Sequence, residues 1–316
     1  MKLKKEYLIL AGIIVALLLY LVLHRSNRTH YKLPDIQGIS EKQISKLEIE
    51  KAGNALVLNK KDNTWHIDPE GYPADSSKVK KMLDVIAGLK LTALVSESKN
   101  YERYDLTQDK KIAVKAWQGK TLSREFDIGK AATTYQHTFV RWAADPNVYH
   151  AIGNFRRDFD QTVDELRDKT VLSFTEKDIR EITLTKDKTT MILSQKQVPE
   201  QEGKTSKEPE TQMVWQNADG KKVDKQRVKT LLSFFNGLEC ETYINDVKKD
   251  DLKNPTCAIV MKGDKNYSLS VFAKKEKDAK TYPAISSENE YPFFLSDSQV
   301  DKIKSKIDEL LEPKEK

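Results

Sequence analysis

The chain has 316 residues, of which 32% are charged and 38% hydrophobic, and its formal net charge is +6. This near balance of charges excludes a strongly basic nucleic-acid binder, and the modest hydrophobic fraction excludes a polytopic membrane protein. The chain contains only 2 cysteines, which excludes a disulfide scaffold.

The first predicted element is an apolar run over residues 7–23, interrupted only by Gly12. As a helix it spans about 25 Å, which is short for a hydrocarbon core of about 30 Å, but the flanking lysine and arginine side chains can reach the headgroups. A cleaved signal peptide is the alternative, although the run does not end in an A-x-A-like site. We therefore expect residues 1–6 to be a short cytoplasmic tail and 7–23 a single transmembrane anchor in the cell membrane. The bulk of the chain is then extracytoplasmic.

A polar linker over residues 24–43 follows this run and contains Pro34 and Gly38. A flexible segment of this length spans about 22 Å on average. We expect a tether that keeps the next domain close to the membrane.

The rest of the chain contains a weak internal repeat. Residues 44–49 resemble residues 179–184, and in both places a second alternating apolar run and a tryptophan follow, Trp65 or Trp215. Alternation with a period of two predicts β-strands at the start of each half.

A helix is predicted after the opening strands of each half. The sequence VKKMLDVIAGLK, which begins at Val79, aligns without a gap with VKTLLSFFNGLE, which begins at Val228. Apolar residues at helical spacing form one face of each segment. Asp75 and Asp224 stand ahead of the two helices, where a carboxylate can accept hydrogen bonds from the first backbone amides.

Both halves end in a further predicted helix. Phe155, Phe159, Val163 and Leu166 form an apolar stripe in the first half, and residues 300–310 contain a similar stripe. The fold class expected is α+β, with an N-terminal transmembrane helix followed by two similar α+β repeat units, each an antiparallel sheet with packed helices. The first unit covers residues 44–172 and the second covers 173–316.

The second half also carries an insertion at residues 195–213. Its many glutamate, lysine, glutamine, threonine and proline residues cannot form an apolar core. We expect a flexible loop there.

Short motifs of the sequence resemble a known family. They read Trp65-His66-Ile67-Asp68-Pro69, Pro73-Ala74-Asp75, Tyr104-Asp105-Leu106, Asp127-Ile128-Gly129, Phe139-Val140-Arg141 and Leu166-Arg167-Asp168-Lys169. Their order resembles the bacterial family called domain of unknown function 4340, over most of residues 40–310. The resemblance implies one N-terminal membrane helix and a partner among the ABC-type transporter subunits of gliding-motility and auxiliary-transport systems. It implies no catalytic residue, because none is assigned to the family.

Motifs of known enzyme chemistry are absent from the sequence, which has no glycine-rich phosphate loop and no HExxH, GxSxG or CxxC pattern. His137 and His150 could meet across a hairpin and, with Asp145, bind a metal, but two solvated histidines on a sheet are the simpler interpretation. Acidic pairs such as Asp158 and Asp160 lie among basic residues and fit a solvated face better than a catalytic site. We therefore predict no catalytic, cofactor-binding or metal-binding residue, no cofactor and no nucleic-acid partner.

Two alternatives stay open for Cys240 and Cys257. They can form a disulfide in an oxidising compartment, or they can both be free and buried. The sequence supplies no geometry that decides between them.

One group of aromatic and basic residues belongs to the first half. It consists of Trp117, Tyr135, His137, Arg141, Trp142 and Tyr149. Exposed aromatic residues beside arginine are typical of protein interfaces and of sugar-stacking sites. These residues are the candidates for contact with a partner or ligand, and ordinary packing is the alternative.

The sequence therefore favours a membrane-anchored, extracytoplasmic accessory or interaction subunit. The membrane contact is made by the N-terminal helix, and the resemblance implies an integral subunit of an ABC-type transporter as the partner. A glycan- or ligand-binding module of the cell envelope, with a site near Trp117 and Trp142, is the alternative. An envelope hydrolase with an unrecognised site is a third hypothesis.

Overall fold

Alternating apolar residues dominate both halves of the chain, and the structure is accordingly built mainly of β-strands. The computed structural model describes residues 5–23, 31–187, 189–199, 211–276 and 278–311. The chain divides into two units, Met1–Thr162 and Val163–Lys316. Residues 163–172 therefore belong with the second unit, whereas the sequence placed them in the first.

The first unit contains a nine-stranded antiparallel sheet. Its strands are β1 (Lys46–Lys51), β2 (Asn54–Lys61), β3 (Thr64–Asp68), β4 (Tyr72–Pro73), β5 (Leu91–Ser96), β6 (Ile112–Gln118), β7 (Thr121–Ala131), β8 (His137–Trp142) and β9 (Val148–Ile152). Their order across the sheet is β4-β3-β2-β1-β6-β7-β8-β9-β5. Buried residues alternate with half-buried ones along β1, β6 and β8, as expected for strands with one face on a core.

The second unit contains another nine-stranded antiparallel sheet and a small sheet of two strands. Its strands are β10 (Thr170–Leu172), β11 (Glu181–Lys186), β12 (Thr189–Pro199), β13 (Thr211–Asn217), β14 (Lys222–Val223), β15 (Leu238–Glu239), β16 (Thr242–Tyr243), β17 (Cys257–Lys262), β18 (Asn266–Val271), β19 (Thr281–Ser286) and β20 (Phe293–Ser296). The large sheet has the order β14-β13-β12-β11-β17-β18-β19-β20-β16, and β10 pairs with β15.

The two large sheets have the same strand order. Strands β11 to β14 take the places of β1 to β4, strands β17 to β20 take those of β6 to β9, and β16 takes that of β5. The repeat that the sequence indicates is thus present in the topology of both units.

The described residues form six helices and four short 3₁₀ segments. The helices are α1 (Lys5–Leu23), α2 (Ser76–Gly88), α3 (Arg156–Phe159), α4 (Val163–Leu166), α5 (Lys225–Phe235) and α6 (Asp297–Leu311). The 3₁₀ segments are Glu41–Gln43, Tyr101–Tyr104, Glu176–Asp178 and Lys249–Asp251.

The two repeated helices form where the sequence predicts them. The carboxylate of Asp75 accepts hydrogen bonds from the backbone N–H groups of Ser77, at 2.8 Å, and Lys78, at 3.1 Å. The carboxylate of Asp224 accepts one from Gln226 at 2.7 Å. Both N-caps are therefore confirmed, and such a cap contributes about 1 kcal/mol.

The core of each unit lies between its helices and one face of its sheet. The buried residues of α2 are Val79, Met82, Leu83 and Ile86, and those of α5 are Val228, Leu231, Leu232 and Phe235. In the second unit, α5 contacts α6, and α6 contacts β11, β19 and β20. Full burial of one such side chain contributes about 1.5–3 kcal/mol.

The predicted helix over residues 155–166 is wrong. Phe159 ends α3, and the chain leaves the helical conformation at Asp160, with φ −88° and ψ 65°, before α4 begins at Val163. Asp160 accepts a hydrogen bond from Lys51 Nζ at 2.5 Å. Asp160 and Thr162 are poor helix formers, which favours a break between α3 and α4.

The expected α+β class with a transmembrane helix is also wrong. The protein is mostly β, because the period-two pattern runs through many more segments than the helical pattern does. Helix α1 has 19 residues, or about 28 Å. In the parts of the chain that the structure describes, no helix is long and apolar enough to cross a membrane.

The insertion predicted as a loop over residues 195–213 is partly strand. Strand β12 continues to Pro199 and pairs there with Thr211, the first residue of β13. The ladder hydrogen bonds between two neighbouring strands extend the sheet although the residues are polar, because a sheet can face water on one side. Residues 200–210 lie outside the described residues, as do residues 24–30 of the predicted linker.

Cys240 and Cys257 are both free and buried. Burial raises the pKa of the Cys240 thiol to about 11. It also raises the pKa of Cys257. Of the two alternatives left open by the sequence, the structure contains the pair of free thiols.

Candidate functional site

The register of the first sheet assigns its residues to two faces. Alternate residues of β8 are buried in the core, so His137, Phe139 and Arg141 lie on the opposite face, which we call the open face. Residues that pair directly across neighbouring strands share a face. Phe139 pairs with His150, and Arg141 pairs with Asp127, so all five residues lie on the open face.

A group of charged residues lies at the centre of the open face. Arg141 Nε donates a hydrogen bond to Asp127 Oδ2 at 2.8 Å, and the Arg141 Nη2 group donates a second one to the same oxygen. Lys111 Nζ donates to Asp127 Oδ1 at 3.1 Å. Burial disfavours the charged form of Arg141, but the charge of Asp127 and the hydrogen bonds outweigh it, and the pKa of Arg141 is raised. One carboxylate, only 7% exposed, thus holds two cations.

A 3₁₀ segment covers part of these residues because a glycine lies beneath it. A Cβ atom at Gly129 would clash with the carbonyl oxygen of Tyr104 and would lie 3.1 Å from that of Phe139. The rings of Tyr104 and Phe139 are 4.9 Å apart. The guanidinium of Arg141 lies 5.2 Å from the ring centre of Tyr101, a cation–π distance. Gly129 therefore allows Tyr101–Tyr104 to pack on the open face.

Three motifs that carry the family resemblance meet at this place. They are Tyr104-Asp105-Leu106, Asp127-Ile128-Gly129 and Phe139-Val140-Arg141. In the second unit, the strand pairing places Ser270 opposite Ile285 where the first unit has Asp127 opposite Arg141. The charged group is therefore specific to the first unit, although the fold is repeated.

Two stacked histidines lie beside the charged group. The rings of His137 and His150 are 5.2 Å apart and inclined by 25°, and the ring of Phe139 lies 4.9 Å from that of His150. The Nε2 atom of His150 is buried and has no hydrogen-bond partner in the described part of the chain. Burial, followed by the neighbouring His137, lowers the pKa of His150. The pair is therefore held in an environment that favours neutral His150.

Exposed apolar side chains border the histidine pair. Ile152 pairs with His137 across β8 and β9 and is 52% exposed. Tyr135 is 72% exposed and adopts a left-handed backbone conformation with φ 57° in the turn before β8. We call Tyr135, His137, His150 and Ile152 the β8–β9 patch.

The two tryptophans of the predicted group do not lie together. Trp117 pairs with Lys46 on the open face, where the Lys46 ammonium lies 4.6 Å from the ring centre. Trp142 pairs with the buried Phe126 and therefore lies on the core face, with the Arg124 guanidinium 5.4 Å from its ring. A single sugar-stacking site built from both tryptophans is incompatible with this separation.

Tyr149 and Asp145 have local structural partners. Tyr149 is buried, and its hydroxyl donates a hydrogen bond to Asp145 Oδ2 at 2.7 Å. Asp145 also accepts a hydrogen bond from the backbone N–H of Asn147 at 2.9 Å. Among the residues that the structure describes, no group of three or more histidine, cysteine, aspartate and glutamate side chains could hold a metal ion.

Sequence reasoning identified only part of the site. Of the six predicted residues, Tyr135, His137 and Arg141 lie on or beside the open face near the patch. Trp117 lies on the same face but beside Lys46, and Trp142 and Tyr149 lie on the core face. The sequence predicts that His137 and His150 can meet across a hairpin, and their rings are stacked. It does not identify Tyr101, Lys111, Asp127 and Phe139 as members of the same cluster. The short motifs containing Asp127 and Phe139 were the available signal, but their sequence separation concealed that they are paired.

Comparison with known proteins identifies the family of this chain but no individual related protein or structure. No curated protein matches the chain, and no solved structure matches it. A family model described as Domain of unknown function (DUF4340) matches residues 65–255, which include the charged group, the histidine pair and part of both units. The chain therefore belongs to the DUF4340 family.

Proposed function

We propose that this protein is an accessory subunit that binds a partner protein through the β8–β9 patch and the adjoining Arg141. The observation that carries the proposal is the exposure of Tyr135 and Ile152 next to the stacked histidines on one face of the first sheet. Tyrosine, arginine and exposed aliphatic side chains at one place are typical of residues that contribute most to protein interfaces.

The rigidity of the surface supports this proposal. Arg141 is fixed by Asp127 and by Tyr101, and His150 is fixed between Phe139 and His137. A surface that is ordered before binding loses little side-chain entropy when the partner docks. Ordered aromatic and basic groups therefore suit recognition of a protein surface.

The charge of the site indicates the chemistry of the partner. Asp127 balances only one of the two cations that contact it, Lys111 and Arg141. The surplus positive charge favours a partner surface with carboxylates near an apolar patch. Such complementarity contributes more to orientation than to affinity.

The identity of the partner comes from the family resemblance alone. We propose an integral subunit of an ABC-type transporter, contacted at the extracytoplasmic face of the cell membrane. In this arrangement the chain acts as an accessory protein, and the contact with the transporter determines its location.

Site-specific photo-crosslinking in the native cells tests the proposal. A photoreactive amino acid at Tyr135 or Ile152 should give a crosslinked product that contains an integral subunit of an ABC-type transporter. Met213 provides a matched control, because this methionine is 50% exposed on a strand of the second unit. Crosslinking from Met213 to the same subunit, or products with other proteins only, would contradict the proposal.

Charge insertion provides a second measurement. Tyr135→Asp and Ile152→Asp should each reduce co-purification of the transporter subunit by about tenfold, as expected for interface residues that contribute more than 1 kcal/mol. Met213→Asp should leave co-purification unchanged. All three side chains are exposed, so the variants should fold.

A further inference from the structure

We propose that Arg124 is a binding site for a carboxylate, which enters when the segment over residues 31–40, which we call the strap, moves away from the guanidinium. The proposal is independent of the proposed function. Arg124 lies on β7 in the same row as the buried Phe126 and Ile128 and therefore on the core face. The proposed partner contact uses the open face of this sheet.

The guanidinium of Arg124 is a buried cation. Arg124 is only 2% exposed, and arginine stays protonated in proteins. Its Nη2 group donates a hydrogen bond to the carbonyl oxygen of Gln37 at 2.6 Å. Nε and Nη1 are buried without a hydrogen-bond partner among the residues that the structure describes. None of the described carboxylates forms an ion pair with it, and this includes Asp35, the acid of the strap. Such a buried charge is costly until an anion compensates it.

The corresponding place in the second unit needs no charge. In the first unit, Arg124 pairs with Ala116 of β6. At the same place in the second unit, Tyr267 pairs with Met261 of β17. The ring of Tyr267 lies 5.5 Å from that of Phe174, which precedes a 3₁₀ segment as the strap does in the first unit. Two packed rings are thus sufficient to hold the preceding segment on the sheet, and the charge of Arg124 serves another purpose.

The strap is held by few polar contacts. It contains no helix and no strand, and the carbonyl of Gln37 makes the one hydrogen bond that the structure gives to residues 31–39 within the described ranges. Gln37 and Gly38 are exposed, and a Cβ atom at Gly38 would meet nothing within 4 Å. An outward movement at these two residues would open the guanidinium to solvent. Burial lowers the pKa of Arg124, so the closed position disfavours its charge.

The arrangement of the donors fits a carboxylate. Nη2 belongs to both forks of a guanidinium, with Nη1 at its end and with Nε along its side. The carbonyl of Gln37 occupies one donor, whereas a carboxylate in its place would accept two parallel hydrogen bonds and neutralise the charge. The ring of Trp142 lies 5.4 Å from the guanidinium and forms an apolar wall. One cation beside an apolar ring matches the single charge of a carboxylate better than the higher charge of a phosphate.

Nuclear magnetic resonance of the full chain in mild detergent tests the proposal, with acetate as the probe. The Nε–H resonance of Arg124 and the indole N–H resonance of Trp142 should shift together and saturate with a dissociation constant of about 10 mM, as expected for so small a ligand. Inorganic phosphate at equal ionic strength should bind at least about tenfold more weakly. A blocked peptide of glycines with one glutamate distinguishes the sources of the carboxylate. Tighter binding than acetate assigns the site to a protein segment, and equal or weaker binding assigns it to a small acid.

Three variants examine the arginine and the strap. Arg124→Lys should weaken acetate binding by about tenfold, because lysine keeps the charge but lacks the fork. Arg180→Lys is the matched control: the Arg180 guanidinium also donates to a backbone carbonyl, that of Lys177, but this arginine is exposed in the second unit. Acetate binding should be unchanged there. Ile36→Ser should strengthen acetate binding by about fivefold, because Ile36 is half-buried and a strap that buries less apolar surface leaves Arg124 more often.

Circular dichroism shows whether each variant folds. If Arg124→Lys fails to fold, Ile36→Ser decides the question, since Ile36 lies outside the strands of the sheet. Three results would each overturn the proposal: resonances of Arg124 and Trp142 that do not respond to acetate, phosphate that binds as tightly as acetate, and an Ile36→Ser chain that binds acetate no more tightly than the wild-type chain.

Discussion

Gly129 lies directly beneath the backbone carbonyl of Tyr104, so close that no side chain fits between them. The contact joins β7 to the 3₁₀ segment Tyr101–Tyr104. It brings Tyr101 over Arg141, which in turn binds Asp127. The arrangement of the open face therefore depends on glycine, which has no side chain, at position 129.

Gly129→Ala should destabilise the first unit by about 2–4 kcal/mol, because the added methyl group forces backbone atoms apart in a packed region. Chemical denaturation measures the change in the free energy of unfolding. Gly88→Ala is the control, since a Cβ atom at Gly88 meets nothing within 4 Å and alanine favours a helix. Equal effects of both substitutions would show that the Tyr104 contact is unimportant.

The Asp127–Arg141 pair should show strong coupling in a double-mutant cycle. The expected coupling energy from Asp127→Asn and Arg141→Met is about 1.5–3 kcal/mol, because charge-assisted hydrogen bonds strengthen when water is excluded. The Lys262–Glu181 pair is a suitable control, because its side chains are 53% and 35% exposed. That pair should couple by less than about 1 kcal/mol. A coupling energy of less than about 1 kcal/mol between Asp127 and Arg141 would contradict the description of the charged group.

His150 should make the stability of the first unit depend on pH. Burial and His137 lower the pKa of His150 in the folded chain, so the unfolded chain binds a proton more readily. The contribution of His150 to stability is therefore fully present above its unfolded pKa of about 6.5 and decreases as the pH falls below that value. The free energy of unfolding, measured by chemical denaturation between pH 8 and pH 5, should fall less in the His150→Gln variant than in the wild-type chain.

His137 provides an independent check of this explanation. His137→Phe keeps an aromatic ring but removes the neighbouring charge, so the pKa of His150 should rise towards its ordinary value. Titration of His150 by nuclear magnetic resonance measures the change. A pKa that stays the same or falls would show that His137 does not influence His150 electrostatically.

Both thiols should be unreactive in the folded chain. Cys240 and Cys257 are buried, and burial raises the pKa of each, to about 11 for Cys240, so little thiolate is present near neutral pH. Iodoacetamide should therefore modify neither residue before unfolding and both afterwards, as measured by intact mass. Unfolded chain that remains unmodified without a reductant would indicate a disulfide instead of two free thiols.

The sequence by itself determined the features that depend on neighbouring residues. The spacing of Val79, Met82, Leu83 and Ile86 is enough to predict α2, because a helix brings residues three and four apart onto one face. Asp75 and Asp224 could be identified as caps, since a cap bonds to amides two or three residues away. The internal repeat could also be detected from the sequence, because the same local patterns recur in the same order in both halves.

Only the tertiary structure decided which distant residues meet. Strand order and register determine which side chains meet in a sheet. A shift of the register by one residue would move each side chain of the strand to the other face. For this reason Trp117 and Trp142, which looked like one group, lie on opposite faces, whereas Asp127 and Arg141 are directly paired. Local patterns determine the elements, and the free energy of long-range pairing determines how these elements build the site.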